Sequence, residues 1–126
     1  MDPAQHHVAV LGATPKPERY ANQAVRLLLE KGYRVTPIHP RIEEIEGLAV
    51  APSVESIEDP VDTLTLYVGP ARLEPMIESL VALKPGRVIF NPGTESPALQ
   101  QALDAAGIPW EEACTLVLLR TGQFLN

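Results

Sequence analysis

The segment 12–19 follows the apolar run 8–11 and combines a glycine, a hydroxyl side chain and two cations within eight positions. Backbone N–H groups at such a turn, together with the N-terminus of a following helix, attract phosphate oxygens. The alternative is an ordinary tight turn with surface cations, but the coincidence of these features favours a phosphate site. The residues expected to contact phosphate are Gly12, Ala13, Thr14, Lys16 and Arg19.

This turn departs from the dinucleotide-binding fingerprint, because only Gly12 matches it and other residues stand at the later glycine positions. NAD enzymes usually also place Asp or Glu at the end of the second strand, where it binds the ribose hydroxyls. Here residues 38–41 read Ile-His-Pro-Arg, so no carboxylate is available, and Arg41 would suit a phosphorylated ribose better. We therefore expect His39 and Pro40 to contact a nucleotide other than NAD, unless they are a surface histidine and a turn proline.

Two further loops offer contacts at strand ends. Val68 and Gly69 would let a flat base or a pantetheine arm pass close to the backbone. The amide of Asn91 can both donate and accept hydrogen bonds, and Pro92 and Gly93 follow it in a loop that could cover a ligand. Each loop could equally be a simple turn, but we expect all five residues to belong to the binding site.

Cys114 is the only cysteine, which excludes an internal disulfide. It directly precedes a predicted helix, and a helix N-terminus favours a reactive thiolate. Glu111 and Glu112 oppose thiolate formation, so a buried, inert cysteine is one interpretation. The other is a thiol near the ligand that forms a mixed disulfide with it.

Apolar runs bounded by Gly and Pro predict strands at 7–11, 33–38, 63–68, 87–90 and 108–111, with a short edge strand at 48–50. Helical spacing predicts helices at 22–31, 71–83, 97–106 and 115–120, with Asn22 and Ser96 as N-caps of the first and third, and one helical turn at 53–57. Such alternation predicts an α/β fold: a doubly wound, mainly parallel five-stranded sheet with helices on both faces. Ligands bind such sheets at the carboxyl ends of the strands, where the residues named above would lie.

The bulk properties narrow the class of protein. A chain of 126 residues is long enough for one domain, which we assign to residues 1–126. The net charge of −6 argues against nonspecific binding to nucleic acid. No apolar run approaches the roughly 20 residues of a membrane span, and the acidic N-terminus does not resemble a signal peptide, so we expect a cytoplasmic protein. The three histidines form no cluster with metal-ligand spacing, and we expect no metal site.

Six segments occur in an order that is characteristic of one family: VAVLGATP (8–15), GYRVTPIHP (32–40), EG (46–47), PVD (60–62), NPG (91–93) and ACT (113–115). With them the chain resembles the small bacterial CoA-binding domain proteins, which share their fold with the CoA-binding domain of the succinyl-CoA synthetase alpha subunit. The resemblance implies a Rossmann-like fold with coenzyme A at the strand ends, the phosphates at the glycine loop and the adenosine end at 39–40. The family usually has Asn at the position of His39 and often Gln at that of Asn91.

The first hypothesis is therefore a non-catalytic CoA or acyl-CoA binding protein, since no catalytic constellation can be assembled from the sequence. An NAD(P)-dependent enzyme or subunit is the alternative that the glycine turn favours, and a ligand-free interaction or regulatory domain is the third. A protein partner or a homo-oligomer is compatible with each hypothesis. Under the first, Gly12→Val is expected to block phosphate approach and to leave much of the fold intact.

Overall fold

The computed structural model describes residues 2–125 as a parallel sheet with helices on both faces. Its sheet strands are β1 His7–Leu11, β2 Arg34–Ile38, β5 Thr63–Leu66, β6 Arg87–Phe90 and β7 Trp110–Glu112, and β3 Glu44–Ile45 and β4 Leu48–Ala49 form a separate antiparallel hairpin. The helices are α1 Tyr20–Glu30, α2 Pro70–Leu73, α3 Ile77–Leu83, α4 Pro97–Ala105 and α5 Thr115–Arg120. Short 3-10 turns occupy Pro3–Gln5, Val54–Ser56 and Glu74–Met76.

The strands lie in the order β2-β1-β5-β6-β7, and every neighbouring pair is parallel. The chain moves from β1 outward to β2 and then returns to β5 on the other side of β1. The strand order therefore reverses between β1 and β5, which makes the carboxyl ends of these two strands the topological switch point of the sheet. The predicted doubly wound, Rossmann-like α/β fold is confirmed.

Two apolar cores lie on the two faces of the sheet because successive side chains of a strand point to opposite sides. On β1, Ala9 and Leu11 face a cluster that includes Leu80 of α3 and Leu99 of α4. Val8 and Val10 face the other cluster, to which α1 contributes Val25 and Leu28 and α5 contributes Leu119. All five residues of β1 are buried, and after His7 the strand is a continuous apolar run rather than an alternating one.

Several element bounds differ from the sequence-based prediction. The expected cap Asn22 lies inside α1, which begins at Tyr20 with Arg19 at the N-cap position. The expected single helix 71–83 is broken, because Pro75 cannot continue the helical hydrogen bonds and the chain forms a 3-10 turn there. The last strand is shifted to Trp110–Glu112, since Ile108 still closes α4 through its N–H bond to the Leu103 carbonyl.

The predicted N-cap Ser96 is confirmed, because its hydroxyl accepts a hydrogen bond from the Leu99 N–H at 3.2 Å. Within residues 2–125, no helix has the length and apolar character needed to cross a membrane.

Candidate functional site

A cleft of about 700 Å³ opens at the carboxyl ends of β1, β2 and β5, at the switch point of the sheet. It is lined by the loops after these strands and after β6, by the start of α1, by the segment 52–55 and by the segment from α2 to α3. Of the residues predicted from sequence, those lining it are Gly12, Ala13, Thr14, Lys16, Arg19, His39, Pro40, Val68, Gly69, Pro92 and Gly93. Asn91 and Cys114 are not among the lining residues.

Gly12 brings the loops after β1 and β5 into contact. Its φ is +90°, and a Cβ at this position would lie 2.8 Å from Val68 Cγ1 and 3.0 Å from the Tyr67 carbonyl oxygen. Glycine is thus required both by the left-handed backbone and by the close approach. These contacts argue against the expectation that Gly12→Val leaves much of the fold intact, because the added side chain would meet Val68 and the Tyr67 backbone.

The N–H groups of Gly12 and Ala13 point inward rather than toward a ligand. Both donate to the carbonyl of Ile38, at 3.3 and 3.2 Å, and so join the β1 loop to the end of β2. These two N–H groups are therefore not free to form the expected phosphate cradle. Their role in the structure is to hold the rim of the cleft in place.

The N-terminus of α1 offers free backbone donors to the cleft. The N–H groups of Tyr20, Ala21 and Asn22 have no backbone acceptor within residues 2–125, and the Arg19 side chain does not cap the helix. Such unsatisfied N–H groups, together with the helix dipole, form a natural anion site. Tyr20 and Ala21 line the cleft, so the positive end of this helix opens into it.

Three cationic side chains of the cleft lining are uncommitted. The side chains of Lys16, Arg19 and Arg72 are exposed and make no ion pair or hydrogen bond within the described part of the chain. By contrast, Arg34 pairs with Asp59 and Arg87 with Glu111. Although the chain is acidic overall, the mouth of this cleft presents unpaired positive charge, which favours an anionic ligand.

Side chains of α1 hold the loop 14–19 from beneath. The Asn22 amide donates to the Thr14 carbonyl at 2.9 Å, the Arg26 guanidinium donates to the Pro17 carbonyl at 2.9 Å, and Gln23 donates to the Glu18 carbonyl at 3.3 Å. The loop carbonyls are thus bound to the helix, and the loop has a defined shape without a ligand.

His39 has a fixed tautomer at the corner after β2. Its Nδ1 accepts a hydrogen bond from the Arg41 N–H at 3.0 Å, so the proton of the neutral ring lies on Nε2. His39 and Pro40 line the cleft, whereas Arg41 does not. The corner therefore presents a hydrogen-bond donor and carries no carboxylate.

Asn91 is buried and supports the strand ends from below. Its Nδ2 donates to Thr65 Oγ1 at 2.7 Å and to the Leu66 carbonyl at 2.8 Å, and its Oδ1 accepts from the Thr115 N–H at 2.8 Å. The amide is thereby fully engaged within the protein and caps the first turn of α5. These bonds favour a positioning role for Asn91 over the direct ligand contact, which stays a prediction.

Tyr67 and Cys114 lie next to each other near this network. Burial raises the pKa of Tyr67 to about 12, even though the Thr115 and Thr65 hydroxyls lower it. The tyrosine hydroxyl is buried and makes no hydrogen bond of good geometry with the neighbouring threonines. Cys114 is half-buried at the N-cap position of α5. The ligand contact of Cys114 stays a prediction.

The sequence profile of the CoA binding domain matches residues 6–120, which is most of the chain. The chain belongs to the CoA-binding domain family. Membership of this family supports CoA binding in general.

Solved structures share the fold. A crystal structure of an uncharacterized protein is 39% identical, superposes with a TM-score of 0.88, and is matched over 96% of this chain and 99% of its own. The dinucleotide forming acetyl-coenzyme A synthetase 1 of Ca. Korarchaeum cryptofilum is 22% identical with a TM-score of 0.74, over 86% of this chain and 25% of its own. The second likeness shows that this fold also occurs as one part of a larger protein.

A curated relative is the uncharacterized protein YneT of Bacillus subtilis, which is 27% identical over 60 residues. That match covers 48% of this CoA-binding domain and 44% of the length of YneT.

Sequence reasoning missed several residues that line the cleft of this CoA-binding domain, among them Tyr20 and Arg72. Both were placed in strand-end loops, 12–22 and 68–72, but neither was named as a site residue, although both line the cleft. The available signal for Tyr20 was the absence of a good capping residue before α1, since a helix start without a cap is open to an anion. For Arg72 the signal was its position three residues after Gly69, at a strand end.

Proposed function

We propose that this CoA-binding domain is a non-catalytic protein that holds CoA or an acyl-CoA in the switch-point cleft. In this proposal the phosphates lie at the N-terminus of α1, beside Lys16 and Arg19, and the adenosine end lies near His39 and Pro40. The pantetheine arm passes Val68 and Gly69. Family membership supports the ligand class, and the geometry of the cleft supports this placement.

The observation that carries the proposal is the uncommitted positive end of α1, together with the lack of a carboxylate at residues 38–41. The three free N–H groups and the two adjacent cations suit a diphosphate. A volume of about 700 Å³ is within the usual range for small-molecule sites. Residues 38–41 provide no carboxylate for the ribose hydroxyls, which disfavours NAD.

Among the described lining residues no hydroxyl is hydrogen-bonded to a histidine, which supports a binding role. Covalent catalysis needs a nucleophile within hydrogen-bond reach of a base. The His–Thr pairs found within residues 2–125, His6–Thr63 and His7–Thr36, involve residues outside the cleft lining. In the cleft wall the Ser79 hydroxyl donates to the Glu55 carboxylate, but no histidine is hydrogen-bonded to it.

Titration calorimetry on ligand-free protein tests the ligand. CoA, acetyl-CoA, NAD and NADP are titrated separately, and we expect binding of the CoA species and much weaker or no binding of NAD. No heat and no thermal shift with either CoA species would overturn the proposal. Preferential binding of NAD(P) would favour the dinucleotide enzyme, and an empty cleft with a captured partner protein would favour the interaction domain.

The non-catalytic part of the proposal needs its own measurement. Acetyl-CoA is incubated with the protein at high concentration, and release of free thiol is followed with a thiol reagent. We expect the rate of hydrolysis to equal that of a buffer control. Protein-dependent release that is abolished by Ser79→Ala or His39→Gln would show an enzyme.

A further inference from the structure

The hairpin formed by β3 and β4 has a strained residue at its tip. Glu46 and Gly47 form the two-residue turn, and both have positive φ, +51° and +77°. Hairpin turns of this kind favour Asn-Gly or Asp-Gly, because other L-residues resist the left-handed region. Glutamate is therefore a poor choice for the turn itself, and strain of this sort persists where the surrounding structure over-determines it.

The side chain of Glu46 explains why it is tolerated there. Its Oε2 accepts a hydrogen bond from Asn22 Nδ2 at 3.1 Å. The same Nδ2 donates to the Thr14 carbonyl at 2.9 Å, and Asn22 Oδ1 accepts from Arg26 Nε at 2.7 Å. Asn22 is completely buried, so its rotamer is set by these three bonds.

The chain of contacts leads to the loop that borders the cleft. Glu46 orients the Asn22 amide, Asn22 holds the Thr14 carbonyl, and Arg26, fixed by Asn22, holds the Pro17 carbonyl at 2.9 Å. The hairpin itself is anchored, because Ile45 is buried in the core on the α1 face of the sheet. The anchored hairpin is thus connected to the loop 14–19 through the buried side-chain amide of Asn22.

From this geometry we infer that Glu46 is a positioning residue for ligand binding: its carboxylate, through Asn22, pre-organises the loop 14–19. The turn is strained in order to keep that carboxylate in place. The inference extends the proposed function, since it makes affinity for CoA depend on a residue that does not line the cleft.

Electrostatics alone predicts the opposite effect, which makes the inference testable. Glu46 is an acid near a site for an anion, so its neutralisation should tighten binding if charge were all that mattered. Glu46→Asn also relieves the turn, because Asn is the preferred residue at this position of the hairpin. If the inference is right, this variant weakens binding although it removes both repulsion and strain.

The experiment compares Glu46→Asn, Glu46→Gln and Glu44→Gln with the wild type. Glu46→Gln keeps an oxygen at the right reach for Asn22. Glu44→Gln is the matched charge control, because the Glu44 side chain on the same hairpin makes no hydrogen bond or ion pair within residues 2–125. Three quantities are measured: the Tm, the Kd for CoA, and amide hydrogen exchange of the segment 13–19 without ligand.

For Glu46→Asn we expect a Tm that does not fall, faster exchange in the segment 13–19, and a Kd for CoA raised about fivefold or more. Glu46→Gln should recover most of the affinity, and Glu44→Gln should match the wild type in exchange. Unchanged exchange in Glu46→Asn, or a lower Tm with exchange accelerated throughout the chain, would overturn the inference.

Hydrogen exchange separates this inference from the proposed function. If the wild type does not bind CoA, the proposed function fails. The positioning role of Glu46 is then judged from exchange of the segment 13–19 alone, which requires no ligand.

Discussion

The Tyr20 side chain is 71% exposed at the edge of the cleft, where it occupies the first position of α1. An aromatic ring there can stack on a flat base, an interaction of about 1–3 kcal/mol per base. We expect Tyr20→Ala to raise the Kd for CoA about tenfold or more, as measured by titration calorimetry. Because the ring makes little contact with the protein, the Tm should change little.

Tyr20→Phe is the control for this prediction, since it keeps the stacking surface and removes only the hydroxyl. It should bind CoA like the wild type. Equal affinity of Tyr20→Ala and the wild type would show that the ring does not touch the ligand.

The free cations at the start of α1 give a second residue-scale prediction. Lys16→Gln combined with Arg19→Gln removes two charges that have no partner in the protein, so the fold should tolerate the change. We expect the Kd for CoA to rise about tenfold or more, because hydrogen bonds to charged groups are worth about 1.5–3 kcal/mol each. Affinity should also fall with added salt in the wild type and less so in the variant.

Lys31→Gln is the matched control, because this cation lies at the opposite end of α1 from the cleft. It should leave the Kd unchanged. If it weakens binding as much as the double variant, the effect is one of net charge and the location of the phosphates is wrong.

At the scale of elements, the contact between the β1 and β5 loops depends on Gly12. We expect Gly12→Ala to lower the free energy of unfolding by about 2–4 kcal/mol, from a left-handed backbone and from overpacking against Val68. Urea denaturation measures this loss in the free energy of unfolding. Gly47→Ala is the control, because it has a similar φ of +77° but open space around its Cβ. A loss in Gly12→Ala no greater than in Gly47→Ala would contradict the steric argument.

Asn91 follows β6 and hydrogen-bonds to β5 and α5, so its replacement tests whether its role is to stabilise the fold. Asn91→Asp removes the donor to Thr65 and Leu66 and places a carboxylate in a buried site. We expect the free energy of unfolding to fall by about 2–4 kcal/mol, as measured by urea denaturation. The Kd for CoA, measured well below the Tm, should stay near that of the wild type. A large loss of affinity without a loss of stability would show direct ligand contact.

The strand-helix alternation made most of the fold predictable. The strands His7–Leu11 and Arg87–Phe90 and the helix Thr115–Arg120 have the predicted bounds, because apolar runs and flanking Gly or Pro define them locally. The predicted start of α1 was wrong because the Asn22 side chain does not cap the helix. It bonds instead to the Thr14 carbonyl and to Glu46, which lies far along the chain, so tertiary contacts determine its role.

The candidate site was predictable as a set of loops but not as a set of contacts. Strand ends identify which loops meet, and most of the named residues do line the cleft. Sequence does not show which N–H groups already donate within the protein. The amides of Gly12 and Ala13 were therefore expected to bind phosphate, although both donate to the Ile38 carbonyl. It also does not show that Asn91 is turned inward, because its partners, Thr65 and Thr115, are distant in sequence.

At the scale of the whole molecule, the end of the sheet opposite the cleft contains a buried polar cluster. His6 Nε2 and Thr63 Oγ1 are 2.7 Å apart, and Arg87 Nε donates to the same hydroxyl at 2.9 Å. The Arg87 guanidinium also stacks on the Phe124 ring at 4.4 Å and donates to the Phe124 carbonyl. This cluster fastens the C-terminal segment to the sheet, so its protonation state bears on the stability of the whole domain.

Burial lowers the pKa of His6 below its ordinary 6.5, Asp62 partly opposes this, and Arg87 and His7 add to the lowering. The folded state then binds a proton less readily than the unfolded state. The stabilising contribution of neutral His6 is full above about pH 6.5 and is lost as the pH falls below that value toward the lowered pKa. We therefore expect urea denaturation to show falling stability between about pH 7 and pH 5.

His6→Gln isolates this contribution, because glutamine does not titrate. The variant is expected to be less stable than the wild type at pH 7, and its stability should fall less steeply toward pH 5. The difference in slope should persist in high salt, since a buried group is screened much less than exposed pairs. Equal slopes for the two proteins would mean that carboxylates elsewhere cause the acid sensitivity. Protonation of His6 would then have no effect on the free energy of unfolding.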